Sequence, residues 1–148
     1  MTWFWLHTVF MFAGIAGLVV AAAVSMMYLV QSAQLKSRHP GKILFNLPAL
    51  NTLDKLHFRS LALGVLLFSF GILSGVFWAQ KASEFQRLLK DPAVLLSLLT
   101  CFLYWVVFSF RASALRRGQK IAVGTVLIFL LLFVTYISLY CPAGFHKV

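Results

Sequence analysis

The side chains of this chain best able to do chemistry are four histidines, His7, His39, His57 and His146. An imidazole that titrates near neutral pH can ligate a metal or carry a proton. His39 and His57 stand among Lys36, Arg38, Lys42, Lys55 and Arg59 and read as solvated surface. His7 sits just after Trp3 and Trp5, and His146 lies close to the last residue, Val148. Other catalytic chemistry finds little support. Cys101 and Cys141 form no CxxC, and there is no phosphate-cradling glycine loop, Ser-His-Asp pattern or HExxH. Asp54, Glu84 and Asp91 all stand outside the long apolar runs, which leaves no carboxylate for a proton relay or metal site within a membrane.

The elements that must position these histidines follow from composition. Hydrophobic residues make up 61% of the 148 residues and charged ones 11%, against about a quarter charged in soluble domains. A chain this short could not hide so much apolar surface in water. Four apolar runs stand out, Trp3 to Val30, Leu61 to Ala79, Ala93 to Phe110 and Ile121 to Tyr140. Each reaches the roughly 17–25 residues that cross about 30 Å of hydrocarbon, and backbone polar groups in lipid must be paired internally, so each should be a helix. The first run is too long for a signal peptide and has neither a basic leader nor a small-residue cleavage site, so it reads as a retained helix. The expected fold is an all-α integral membrane bundle of four helices in one domain, 1–148.

Charge orients the bundle. Lys36, Arg38, Lys42, Lys55 and Arg59 follow the first run; Arg111, Arg116, Arg117 and Lys120 follow the third. The positive-inside rule puts those two segments in the cytoplasm and both termini outside. The net charge of +10 therefore reads as topogenic rather than as a nucleic-acid surface. The expected location is the bacterial cytoplasmic membrane.

Local signals refine the connections. Leu47, Leu50, Leu53 and Leu56, after Pro48 and with Asn51 or Thr52 as cap, predict an amphipathic stub on the inner surface that turns into the second crossing. Asp91-Pro92 predicts the start of the third helix, and Gly118 separates it from the fourth. Gly71 and Gly75 form a small-xxx-small pair, with Gly64 on the same face and Gly14 and Gly17 in the first helix. Such a face either packs inside the bundle or meets a partner subunit. Cys101 and Cys141 fall at different depths, against a disulfide, and Cys101 reads as a small packing residue.

This topology places His7 and His146 on one membrane side, with Trp3, Trp5, Phe77 and Trp78 at the same level. An interfacial aromatic belt would look the same. Two imidazoles across an aromatic pocket are also the ligand set of a low-spin haem.

The stretch LPALNTLDKLHFRSLALG, Leu47 to Gly64, resembles the LPxLETLDRLxYRLxALG run of the CcsA/ResC cytochrome c assembly family and its HemX-like relatives. FGILSGVFWA, Phe70 to Ala79, resembles that family's LGIxxGAIWA. The opening WLHTVFMFAGIAGLVVAAAVSMMYLVQ is similar to its histidine-bearing helix, and CPAGFHKV to its terminal GLHSY. The resemblance implies that His7 and His146 are the axial ligands of one haem iron at the outer face, between the first and fourth helices. Where the family carries its tryptophan-rich WWD segment, this chain reads AQKASEFQRLLKDPAVLLSLLT, with Asp91-Pro92 similar to the family's WDPKE. In this it is closer to the HemX-like branch, which lacks the tryptophan signature. Family members usually have more crossings than four.

The expected function is a haem-binding membrane protein of this type, holding or handling a non-covalent haem b, with no independent catalytic activity. Phe77 and Trp78 would wall the site, and Lys81, Arg87 and Lys90 would face the propionates or lipid heads. Covalent attachment to this chain is not expected, because it has no CxxCH. Expected partners are the bilayer, other membrane subunits and a c-type cytochrome, not nucleic acid. The alternative is a b-type haem or structural accessory subunit of a larger respiratory or photosynthetic complex.

Overall fold

A computed structural model describes residues 2–37, 49–81, 90–113 and 118–140. Four helices account for nearly all of them: α1 (Thr2–Lys36), α2 (Leu50–Lys81), α3 (Pro92–Ala112) and α4 (Gln119–Tyr140). No strand occurs among the described residues. All four are long and apolar enough to cross a membrane, so the chain is a multi-pass membrane protein. At 1.5 Å per residue, the 35 residues of α1 extend about 52 Å, well beyond the roughly 30 Å hydrocarbon core.

The helices alternate in direction, and neighbours in sequence are neighbours in space. α1 packs most extensively on α2, α2 also meets α3, α3 meets α4, and α4 returns to α1. The bundle therefore has two ends. One carries the start of α1 and the end of α2 and is called here the His7 end; the other carries the end of α3 and the start of α2, the Arg111 end.

The α1–α2 contact depends on glycine. A Cβ on Gly14 would lie 2.5 Å from the backbone nitrogen of Phe68, and one on Gly17 would lie 2.8 Å from the Cα of Gly64. A Cβ on Gly71 would meet Met11 Sδ at 2.7 Å. The glycine face is thus spent on internal packing, not on a partner. Above it sits a core of Leu18, Ala21, Leu61, Val65, Phe68 and Tyr104, with Cys101 packed against it as a small residue.

The chain breaks follow local chemistry. Asp91 caps α3 as predicted: its Oδ1 accepts from Ala93 N at 2.9 Å, with Pro92 in the first turn. Gly118, at φ +125°, opens α4, its carbonyl accepting from Ile121 N at 3.2 Å and Ala122 N at 3.4 Å. A side chain would be strained there. The predicted surface stub is corrected. Leu50–Lys81 is one unbroken helix, started by Ala49, whose carbonyl accepts from Thr52 N and Leu53 N, rather than capped by the side chains of Asn51 or Thr52. Leu47 and Pro48 lie outside the described residues; of the repeat's later members, Leu53 is buried while Leu56 is exposed. Burial of Leu53 and of His57, a turn later, keeps this segment against the bundle.

The close approach gives a graded expectation. Gly14→Ala and Gly17→Ala should each lower stability by about 1–3 kcal/mol, because rigid backbone must yield. Gly124→Ala, whose Cβ would meet only Val107 Cγ2 at 3.6 Å, should be neutral or mildly stabilising, since alanine favours a helix. Thermal unfolding in detergent separates the two classes; equal effects would mean that α1 and α2 are not in contact at these positions.

Candidate functional site

At the His7 end, the ring of His7 is half-buried against α2. Its Nδ1 lies 2.7 Å from the carbonyl oxygen of Gly71. A carbonyl can only accept, so Nδ1 carries the hydrogen and donates it. In the neutral ring Nε2 then holds the lone pair. The same carbonyl accepts the Ser74 hydroxyl at 2.8 Å. Gly75 makes room for the ring, since a Cβ there would fall 2.8 Å from Nδ1. The glycine pair of α2 therefore seats the imidazole as well as packing the helices.

Aromatic side chains line the same end. Trp3 packs on Phe77 with ring centroids 5.4 Å apart, and Phe4 on Trp78 at 5.8 Å. Phe77 and Trp78 are both exposed, at 51% and 40%, as suits rings at a lipid interface. Of the other predicted site residues, His146 and Arg87 lie outside the described residues, as do Cys141 and His39, and so does the side chain of Lys81. Lys90 is exposed just before α3. The chain leaves α4 after Tyr140 from the His7 end. No group of three or more His, Cys, Asp or Glu able to hold a metal occurs among the described residues.

The hydrogen bond of His7 can be compared with those of histidines that ligate metals. A metal-ligating histidine normally donates its second ring nitrogen to a carbonyl or carboxylate, which fixes tautomer and orientation. The Gly71 carbonyl accepts such a bond from His7, which leaves Nε2 with its lone pair uncommitted.

The Arg111 end holds a polar cluster that the sequence reading does not anticipate. His57, expected at the solvated surface, is only 5% exposed. Its Nε2 is 3.1 Å from Thr125 Oγ1. The Thr125 hydroxyl is committed to the Ile121 carbonyl at 3.0 Å, so Nε2 is the donor. Arg111, read as one of the topogenic cations, is 7% exposed. Its guanidinium meets Asp54 Oδ2 at 2.6 Å and donates to the Asp54 carbonyl at 3.2 Å. The ring of Phe58 covers it at 5.7 Å and stacks in turn on Phe108. Between Ser25, Tyr28, His57 and Gly118 lies a cavity of about 10 Å³, the scale of one water. A signal existed: Asp54 and His57 are three apart, on one helix face, and Arg111 sits flush at the end of an apolar run. The cluster ties α2 to α3 and α4.

The whole-chain comparisons agree with one another. The profile described as Cytochrome C assembly protein matches residues 1–146. Protein HemX of Brevibacillus brevis is 32% identical over 124 residues, covering 82% of this chain and 44% of the relative. Cytochrome c biogenesis protein CcsA of Chlamydomonas reinhardtii is 26% identical over 136 residues, covering 92% of this chain and 37% of the relative. The chain thus spans less than half the length of these curated relatives. No solved structure matches significantly.

For the Arg111 end, Asp54→Ala should lower stability by about 3 kcal/mol or more, because it leaves a buried guanidinium unpaired. Asp54→Ala combined with Arg111→Met should recover a large part of the loss. Unfolding in detergent checks both, and a double variant as unstable as the sum of the single ones would show that the pair is not coupled.

Proposed function

The chain belongs to the cytochrome C assembly protein family, and we propose that its part in that haem-related membrane role is to hold a non-covalent haem b at the His7 end of the bundle. The observation that carries this reading is the hydrogen bond from His7 Nδ1 to the Gly71 carbonyl, which leaves Nε2 ready to ligate. His146, downstream of α4 and the second ligand implied by resemblance, would complete the axial pair. Phe77 and Trp78 would form apolar wall, and Lys81 and Arg87 would face the propionates. The bound haem would supply an iron able to change oxidation state, or a cargo to hand on. The protein's own contribution is to fix the imidazole, keep its lone pair free, and supply an aromatic rim at the membrane interface.

The reading extends to orientation and partners. The excess of cations at the Arg111 end supports placing that end in the cytoplasm and the His7 end outside. The relatives' printed names, Cytochrome c biogenesis protein CcsA among them, favour cytochrome assembly over a general electron-transfer subunit, with other membrane subunits and a c-type cytochrome as partners.

Purified wild-type protein loaded with haem should show a low-spin spectrum in both oxidation states, as two imidazole ligands give. His7→Ala and His146→Ala should each become partly high-spin or lose haem. Gly75→Ala leaves both ligands in place but crowds Nδ1, and should weaken haem affinity about 10–100-fold, the usual effect of disturbing a ligand's support. Haem binding untouched by all three substitutions would remove His7 from the site. Accessibility labelling of a tag after residue 148 in intact cells should find it outside; labelling only in inverted vesicles would reverse the topology.

A further inference from the structure

A second recess opens at the Arg111 end, independent of the haem reading. It is a cleft of about 250 Å³ between α2 and α3, lined by Asn51, Asp54, Lys55, Phe58, Arg59 and Arg111. Asn51, Lys55, Phe58 and Arg59 follow a helical repeat, so one face of α2 presents them together. Lys55 and Arg59 are exposed. The one acid in the cleft does not offset them, because Asp54 is taken by Arg111 at 2.6 Å. Arg111 in turn is fixed under the Phe58 ring. What remains is a concave surface with two exposed cations and an amide at the rim, an aromatic wall, and the mutually neutralised Asp54–Arg111 pair as floor. Its volume falls below the roughly 300–1,000 Å³ of typical small-molecule sites. That suits a compact anionic group rather than a macrocycle.

We propose that this cleft binds a phosphate group, carried by an anionic phospholipid headgroup or by a soluble phosphate compound. Guanidinium and ammonium groups are the side chains that take phosphate oxygens best. The cleft lies at the ends of two helices long enough to span a membrane, the level at which lipid headgroups lie. Phe58 and Leu56 are exposed on the same turns and can meet acyl chain beside the headgroup. Without such an anion, Lys55 and Arg59 would repel each other across one helical turn.

Native mass spectrometry of the detergent-solubilised full chain tests this, using phosphatidylglycerol and phosphatidylcholine with matched acyl chains. The wild type should retain phosphatidylglycerol in preference. Lys55→Gln/Arg59→Gln should reduce that preference roughly 30-fold, on the order of fivefold for each cation lost near the surface. Lys120→Gln removes an exposed cation at the same end but outside the cleft and should leave the preference intact. Both changed residues of the double variant are exposed, so unchanged helix content and unfolding temperature should accompany the loss. Displacement of phosphatidylglycerol by millimolar inorganic phosphate would assign the cleft to a soluble phosphate compound, and resistance to it would assign the cleft to lipid. Equal retention of both lipids by the wild type without phosphate binding, or a preference that survives in the double variant, would overturn the proposal.

Discussion

The close approach of α1 and α2 is the constraint on which the rest of the structure depends. Inside a bilayer, lipid tails are as apolar as leucine, so burying apolar side chains does little to drive helices together. Contact must be gained by packing. Gly14 and Gly17 let α1 reach the backbone of Phe68 and Gly64, and dispersion between surfaces this close accumulates over several turns. The same approach sets the functional geometry. His7 can reach the Gly71 carbonyl, and rest over Gly75, only because the helices already run side by side. A bulkier seam would widen the gap and leave the imidazole free to rotate.

Two strategies satisfy many of the polar groups within the bundle, while the buried Tyr104 hydroxyl makes no hydrogen bond among the described residues. The hydroxyls of Ser25, Ser69, Thr100, Thr125 and Thr135 return to the carbonyl one turn back in their own helix, at 2.7–3.0 Å. This costs nothing in chain order and leaves oxygens able to accept. Ser69 then accepts the Trp105 indole N–H at 2.9 Å, and Thr125 accepts from His57. Ionic groups need more. Arg111 is buried with a carboxylate, a carbonyl and an aromatic face around it, as a charge out of water requires. The hydroxyls thus convert single helices into cross-linked neighbours, while the Asp54–Arg111 pair fixes the register of α2 against α3.

Much of this was legible in the residues. The four spans, the Asp91-Pro92 start of α3 and the break at Gly118 follow from local chemistry, which acts within a few residues and leaves a local trace. The glycines of α1 and α2 announced close packing, though not with what; only the fold shows that they face each other. The family resemblance on Leu47 to Gly64 and Phe70 to Ala79 agrees with a profile that matches residues 1–146. The illegible part was long-range. In sequence His57 reads as solvated surface and Arg111 as one of the topogenic cations, because charge averaged over a segment says nothing about which member turns inward. Asp54 is 57 residues from Arg111, and no periodicity encodes that pairing. The leucine repeat from Leu47 misled for a related reason: spacing predicts a face, but Leu53 and Leu56 face opposite environments once the helix is packed.

The fold itself fixes His7 in the tautomer whose Nε2 keeps its lone pair, the state the proposed haem site requires. Nitrogen-15 NMR of protein labelled in its histidine rings, with His7 assigned by difference from His7→Gln, measures this without any cofactor. In the neutral ring, His7 should show a protonated Nδ1 and an unprotonated Nε2, with little exchange between tautomers. A protonated Nε2, or a ring averaging between the two forms as free imidazole does, would contradict it.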